Sequence, residues 1–81
     1  MKEWEKSYML NNKYRQIGAK IKYYRQLKDI DQTKLANMVG ISPQYLSKIE
    51  CGKQMPSIQV LLLIAEKLSI DAAYLISDRN V

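Results

Sequence analysis

Apolar residues recur at helical spacing along most of the chain. Tyr14, Ile17, Ile21 and Tyr24 fall at i, i+3, i+7 and i+10, the repeat of one helix face. At about 100° per residue they form one narrow stripe, with Arg15 and Lys22 on the opposite side. The spacing predicts a first helix over about 12–28, apolar inside and basic outside, closed by Lys28 and Asp29.

The punctuation after it is just as regular. Asp31 is a good N-cap, since its carboxylate accepts from unpaired backbone N–H groups, and a second helix follows over about 32–39, burying Leu35, Ala36 and Val39. Gly40 stands where a helix ends in a left-handed residue. Ser42-Pro43 is an N-cap followed by Pro at the first helical position. It predicts a third helix over about 43–51 that buries Leu46 and Ile49 and ends at Gly52. Ser57 caps a fourth helix over about 58–68, and Asp71 a short fifth over about 72–77. No stretch alternates with period two, so no strand is predicted, and the fold class is all-α with five helices.

Two short helices joined by a three-residue turn are the informative segment. Ala36 must be small where the third helix crosses the second, Gly40 permits the turn, and Leu35, Val39, Leu46 and Ile49 form the core that sets the crossing. Leu46 and Ile49 define the inner side of the third helix, which leaves Gln44, Ser47 and Lys48 projecting outward together. Gln pairs bidentately with adenine N6 and N7, Lys donates to guanine O6 and N7, and Ser bonds either, so this is a candidate major-groove reading face. The same residues are also ordinary solvent-facing side chains. Tyr45 lies at the flank, placed either to touch a thymine methyl or sugar or to shield the core edge.

Composition narrows the function. The 81 residues, 47% hydrophobic and 26% charged, suit one globular domain. There is no histidine and a single cysteine, Cys51. Imidazole chemistry, an intramolecular disulfide and a cysteine-based zinc site are thereby excluded, and an enzyme is not expected. Neither a catalytic residue, a metal site nor a cofactor is predicted. No apolar run reaches about 18 residues and the start lacks a signal-peptide pattern, so a cytoplasmic protein is expected. The net charge of +5 is unevenly spread. Residues 6–56 carry ten basic residues against Asp29, Asp31 and Glu50, and seven of the ten lie between Glu5 and Asp29. One-sided positive charge points to a polyanion, nucleic acid or an anionic membrane surface. The membrane reading is weaker, because the apolar stripe of the first helix is needed for the core.

Residues 16–76 resemble the lambda-repressor-like (Cro or XRE-type) helix-turn-helix domain. The resemblance rests on Ile21-Lys22-Tyr23-Tyr24-Arg25, Ile30-Asp31-Gln32, Leu35-Ala36, Val39-Gly40-Ile41-Ser42, Ile49-Glu50-Cys51-Gly52-Lys53 and Pro56-Ser57, continued by Ile64-Ala65, Leu68 and Ile70. It implies a compact five-helix DNA-binding domain whose third helix enters the major groove, and a transcriptional regulator, in most cases a repressor. Pro43, Gln44, Ser47 and Lys48 are then the expected base contacts. Gln32, Tyr45, Lys53, Arg15 and Lys22 are the expected backbone contacts. Arg25 and Glu50 are implied to form a structural ion pair, and the helical wheel agrees, since each sits at the edge of its core stripe. Two departures stand out. Pro43 offers no side-chain hydrogen bond where a polar residue is common, which shifts specificity toward DNA shape. Asp29 stands where the family often has Gly.

The expected partners are double-stranded DNA, as an inverted-repeat operator, and a second copy of the chain. Helix four carries six consecutive apolar residues, Val60 to Ala65, more than one core needs. Ile58, Ala65 and Leu68 are placed on its core side and Leu63 on its far side. A second subunit would cover the surplus, as would Trp4, Tyr8, Met9 and Leu10. The chain thus divides into an N-terminal extension, 1–12 (an arm or extra helix), a helix-turn-helix domain, 13–78, and a tail, 79–81. The alternative is an antitoxin-like or other protein-interaction module that also binds its own operator.

Overall fold

The computed structural model describes residues 2–77, with side chains for all of these except Trp4, Ser7, Tyr8 and Met9. The expected 79–81 tail, and the suggestion that Trp4, Tyr8 and Met9 cover helix four, fall outside what is described, while Leu10, named with them, is 53% exposed and covers nothing. Five helices appear in chain order, α1 (Glu3–Leu27), α2 (Gln32–Val39), α3 (Pro43–Glu50), α4 (Ile58–Lys67) and α5 (Ala73–Ile76), with no strand among the described residues.

The caps read from the sequence for α2, α3 and α4 are made, and the one read for α5 is not. Asp31 Oδ1 accepts from the backbone N–H of Lys34 at 2.7 Å, Ser42 Oγ from that of Tyr45 at 3.0 Å, and Ser57 Oγ from that of Val60 at 3.2 Å. Helix α5 starts at Ala73 with Ala72 at the cap position, so Asp71 stands one residue before it, though its Oδ1 still accepts from the Ala73 N–H at 2.9 Å. Each of the α2, α3 and α4 caps contributes about 1 kcal/mol by satisfying a donor that the helix leaves unpaired. The first four helices also end alike, in a left-handed residue at Asp29, Gly40, Gly52 and Ser69. The residue after each turns back to bond a carbonyl five positions earlier: Ile30 to Arg25, Ile41 to Ala36, Lys53 to Lys48 and Ile70 to Ala65.

The main difference from expectation is the start of α1. It begins at Glu3 rather than near residue 12, so residues 3–11 continue the helix rather than standing apart. Nothing in this stretch breaks a helix, there being no Pro or Gly before Gly18, and Glu3 and Glu5 favour a helix N-terminus. At about 1.5 Å per residue α1 is roughly 37 Å long, which accounts for the 40 Å long axis of the molecule.

The core is a single cluster: Ile17 and Ile21 of α1, Leu35, Ala36 and Val39 of α2, Leu46 and Ile49 of α3, Leu61, Ile64 and Ala65 of α4, with Leu68 and Leu75. Helix α1 packs on α3 and α5, and α2 packs on α3 and α4. Tyr24 joins α1 to α5 by stacking on Tyr74, ring centroids 6.3 Å apart. Lys13 Nζ donates to the Ile76 carbonyl at 2.6 Å, and Lys20 Nζ donates to that of Ser77, so two cations of α1 meet the C-terminal end of α5.

On α4 two side chains exchange their expected places. Ile58 is 68% exposed, because it opens the helix and lies beyond the end of the core, whereas Leu63 is partly buried against the core. With Leu62 at 53% exposure, the uncovered apolar face of α4 is Ile58 and Leu62.

Candidate nucleic-acid interface

Helix α3 is seated by its own apolar residues. Leu46 and Ile49 are fully buried, and the caps at Ser42 and Gly52 limit the helix to eight residues. With those two side chains inward, Gln44 and Lys48 are exposed one turn apart, and Pro43 and Ser47 are half-buried beside them. The four expected base-facing residues therefore lie together along one helix. Tyr45 is half-buried and packs against the core, so it shields the core edge as well as flanking the set.

The three-residue turn Gly40-Ile41-Ser42 sets α3 against α2. Gly40 has φ 86°, a conformation that costs an L-residue about 1 kcal/mol and glycine almost nothing. Ala36 of α2 is fully buried in the core.

Helix α1 supplies the other support. Gly18 passes so close to the C-terminal end of α3 that an added Cβ would lie 2.1 Å from the Ile49 carbonyl oxygen and 2.9 Å from that of Glu50. The sequence carried a signal of this contact, since a glycine inside a helix is unfavourable by about 1 kcal/mol relative to Ala and usually has a packing reason. Arg15 lies over the turn that follows α3: a Cβ on Gly52 would meet Arg15 Cγ at 2.6 Å. Lys22, seven residues on, shares that side of α1. Arg15, Lys22 and Lys53 are all exposed, and Arg15 and Lys53 stand at the same turn after α3.

Behind the exposed face, Arg25 and Glu50 are the buried charged residues among those described, each 8% exposed. Arg25 Nε donates to Glu50 Oε2 at 2.8 Å and Arg25 Nη2 donates to Oε1 at 3.1 Å, a two-pronged pair joining α1 to α3. Arg25 Nη1 also donates to the Ile30 carbonyl at 2.9 Å. Gln32, half-buried at the first position of α2, donates from Nε2 to Glu50 Oε1 at 3.2 Å. Sequence reasoning did not foresee that third member, because the contact depends on how α2 and α3 cross rather than on spacing within either.

No group of three or more potential metal ligands occurs among the described residues, and no described helix is long and apolar enough to cross a membrane.

Comparison with known proteins agrees with this geometry. A sequence profile described as helix-turn-helix matches residues 21–75. The ImmF control region 10 kDa protein of Bacillus phage phi105 is 41% identical over 63 residues, covering 78% of this chain and 68% of that protein. The HTH-type transcriptional regulator SinR of Bacillus subtilis is 35% identical over 65 residues, 79% of this chain and 59% of SinR. Among solved structures, the DNA-binding domain of the P22 C2 repressor superposes with a TM-score of 0.71 at 29% identity, covering 79% of this chain and 90% of that one. The chain belongs to the helix-turn-helix family of DNA-binding transcriptional regulators, in its Cro/C1 (XRE) branch.

Proposed function

We propose that the chain is a repressor that binds an inverted-repeat operator as a homodimer, with α3 in the major groove of each half-site. The observation that carries this is the composition of α3's outer face. Gln44 and Lys48 are exposed side by side on a helix whose opposite face is fully buried, with cations at its end. Gln44 and Lys48 make the hydrogen bonds to base edges, with Pro43 and Ser47 in apolar or short-range contact beside them. Gln32, Tyr45, Lys53, Arg15 and Lys22 bond or neutralise phosphates, which fixes the register of α3 and carries no sequence information. Bound at a promoter, the dimer excludes polymerase. The relatives' names support this reading, one belonging to a phage control region and one being a repressor.

The dimer is supported by the uncovered α4 face of Ile58 and Leu62, and by charge. Residues 57–81 are net −1 while residues 6–56 are net +7, so two copies of a basic protein meet at least electrostatic cost through α4. Selection from a random duplex library at near-physiological salt tests the whole reading. An enriched inverted repeat with half-sites about 10 bp apart is expected. A single unrepeated half-site would remove the dimer, and no enrichment would remove sequence-specific binding.

A further inference from the structure

Glu50 faces away from the reading surface, yet it touches a residue assigned to the DNA backbone. Its Oε2 accepts from Arg25 Nε, while its Oε1 accepts from both Arg25 Nη2 and Gln32 Nε2. Both oxygens of Glu50 thus serve as acceptors, Oε2 for one Arg25 N–H and Oε1 for Arg25 and Gln32 together. The Gln32 amide must therefore turn its NH2 group, not its oxygen, toward Glu50. An amide at a protein surface otherwise has two nearly equivalent orientations. Here one of them would set a carbonyl oxygen against a carboxylate oxygen. With one N–H held by Glu50, the second N–H and the carbonyl oxygen of Gln32 take fixed directions about the first position of α2.

We infer that Glu50 is a positioning residue for DNA binding: it holds the Gln32 amide so that the second N–H is presented to a phosphate oxygen of the duplex, and Arg25 holds Glu50. The inference rests on the DNA reading above. A phosphate oxygen accepts and does not donate, so only an amide with its NH2 group turned the right way can bond it. An amide already immobilised loses little further freedom when the duplex arrives. The pair also works without adding charge. Arg25 cancels the negative charge of Glu50, which would otherwise lie close to the phosphates, and Gln32 contributes a neutral contact. Its loss therefore weakens binding without releasing fewer counterions.

The test is a double-substitution cycle on duplex binding, with Gln32→Met, Glu50→Gln and both together. It is carried out on the selected operator and on an unrelated duplex, at a temperature where circular dichroism shows each variant folded. Gln32→Met is expected to weaken binding about tenfold on both duplexes, as for one hydrogen bond to a charged acceptor, with an unchanged salt slope. Glu50→Gln, whose amide can accept or donate, is expected to weaken binding in the native background and to add little once Gln32 is Met. Independent, multiplicative effects overturn the inference, as does native affinity for Gln32→Met. If Glu50→Gln does not fold, the side-chain amide order parameter of Gln32 in the unsubstituted protein decides. A value well above those of exposed Gln54 and Gln59 supports the clamp, and a value like theirs overturns it. Failure of the unsubstituted protein to bind any duplex is a different result, because it overturns the DNA reading itself.

Discussion

Gly18 in the middle of α1 lies against the carbonyl of Ile49, close enough that a Cβ would sit 2.1 Å from the oxygen. The atom in the way is backbone, which cannot swing aside as a side chain can. Gly18→Ala should therefore destabilise the domain even though Ala favours a helix by about 1 kcal/mol over Gly. Overpacking of this kind costs about 1–3 kcal/mol net of such gains. Urea unfolding would show it as a lowered midpoint. A midpoint equal to or above that of the native chain would mean that α1 and α3 can move apart freely.

The ion pair behind α3 makes a sharper comparison. Glu50→Ala leaves Arg25 buried with its carboxylate gone, a change expected to cost about 3–5 kcal/mol. Lys48→Ala, on the exposed side of the same helix, is expected within about 0.5 kcal/mol of the native stability. Melting temperatures of the two variants check this, and equal values would refute a structural role for the pair.

Four helices end in a left-handed residue, but only two of these residues are glycine. Ser69 and Asp29 carry a Cβ at φ 57° and 60°. Ser69→Gly should raise stability by about 0.5–1 kcal/mol by relieving that conformation. Asp29→Gly should gain less, since Asp tolerates the region better than most residues. Gly40→Ala, with open space around the position but φ 86°, should lose stability for backbone reasons alone. Thermal unfolding of the three variants would rank them. A gain from Gly40→Ala would contradict the backbone explanation.

DNA binding separates the two kinds of contact proposed for the interface. Lys53→Ala and Arg15→Ala should weaken binding to all duplexes alike and reduce the salt slope by about 1 each. Gln44→Ala should cost about 1–3 kcal/mol on the operator and little on unrelated duplex. Titrations at several salt concentrations on both duplexes measure this directly. A Gln44 effect equal on the two would remove it as a base contact.

The α4 face gives the last prediction. Leu62→Asp alters an exposed side chain, so folding should be retained while self-association at tens of micromolar is lost. Sedimentation with and without DNA reads both. Unchanged association would move the proposed dimer contact away from α4.

Much of this molecule was legible because local chemistry agrees with the global fold. Asp31, Ser42, Ser57 and Asp71 each announce a helix start through a side chain that accepts from the backbone two or three residues on. Gly40 and Gly52 announce two of the ends. Ile17, Ile21, Leu35, Leu46 and Ile49 all proved buried, because a 3.6-residue repeat assigns a face whatever lies across from it. The candidate reading residues Gln44, Ser47 and Lys48 followed from that face by elimination.

What the spacing left open is everything set by a second element. Ile58 shares the core side of α4 by angle but is exposed, because burial also depends on where the neighbouring helices stop. Leu63 points the other way by angle and still finds partial cover. Residues 3–11 could be read as an arm or a separate helix; the continuous α1 settles their backbone, since no breaker interrupts it. The crossing of α2 over α3 brings Gln32 to Glu50, and that of α1 over α3 brings Gly18 to Ile49. A helix wheel knows the direction of a side chain but not its depth or its neighbour. Sequence therefore determined the order of the helices, the caps of α2, α3 and α4 and the inner faces of α1, α2 and α3, which depend on contacts a few residues apart. Tertiary structure alone decided which buried charge holds which amide, because that is fixed by interhelical distances.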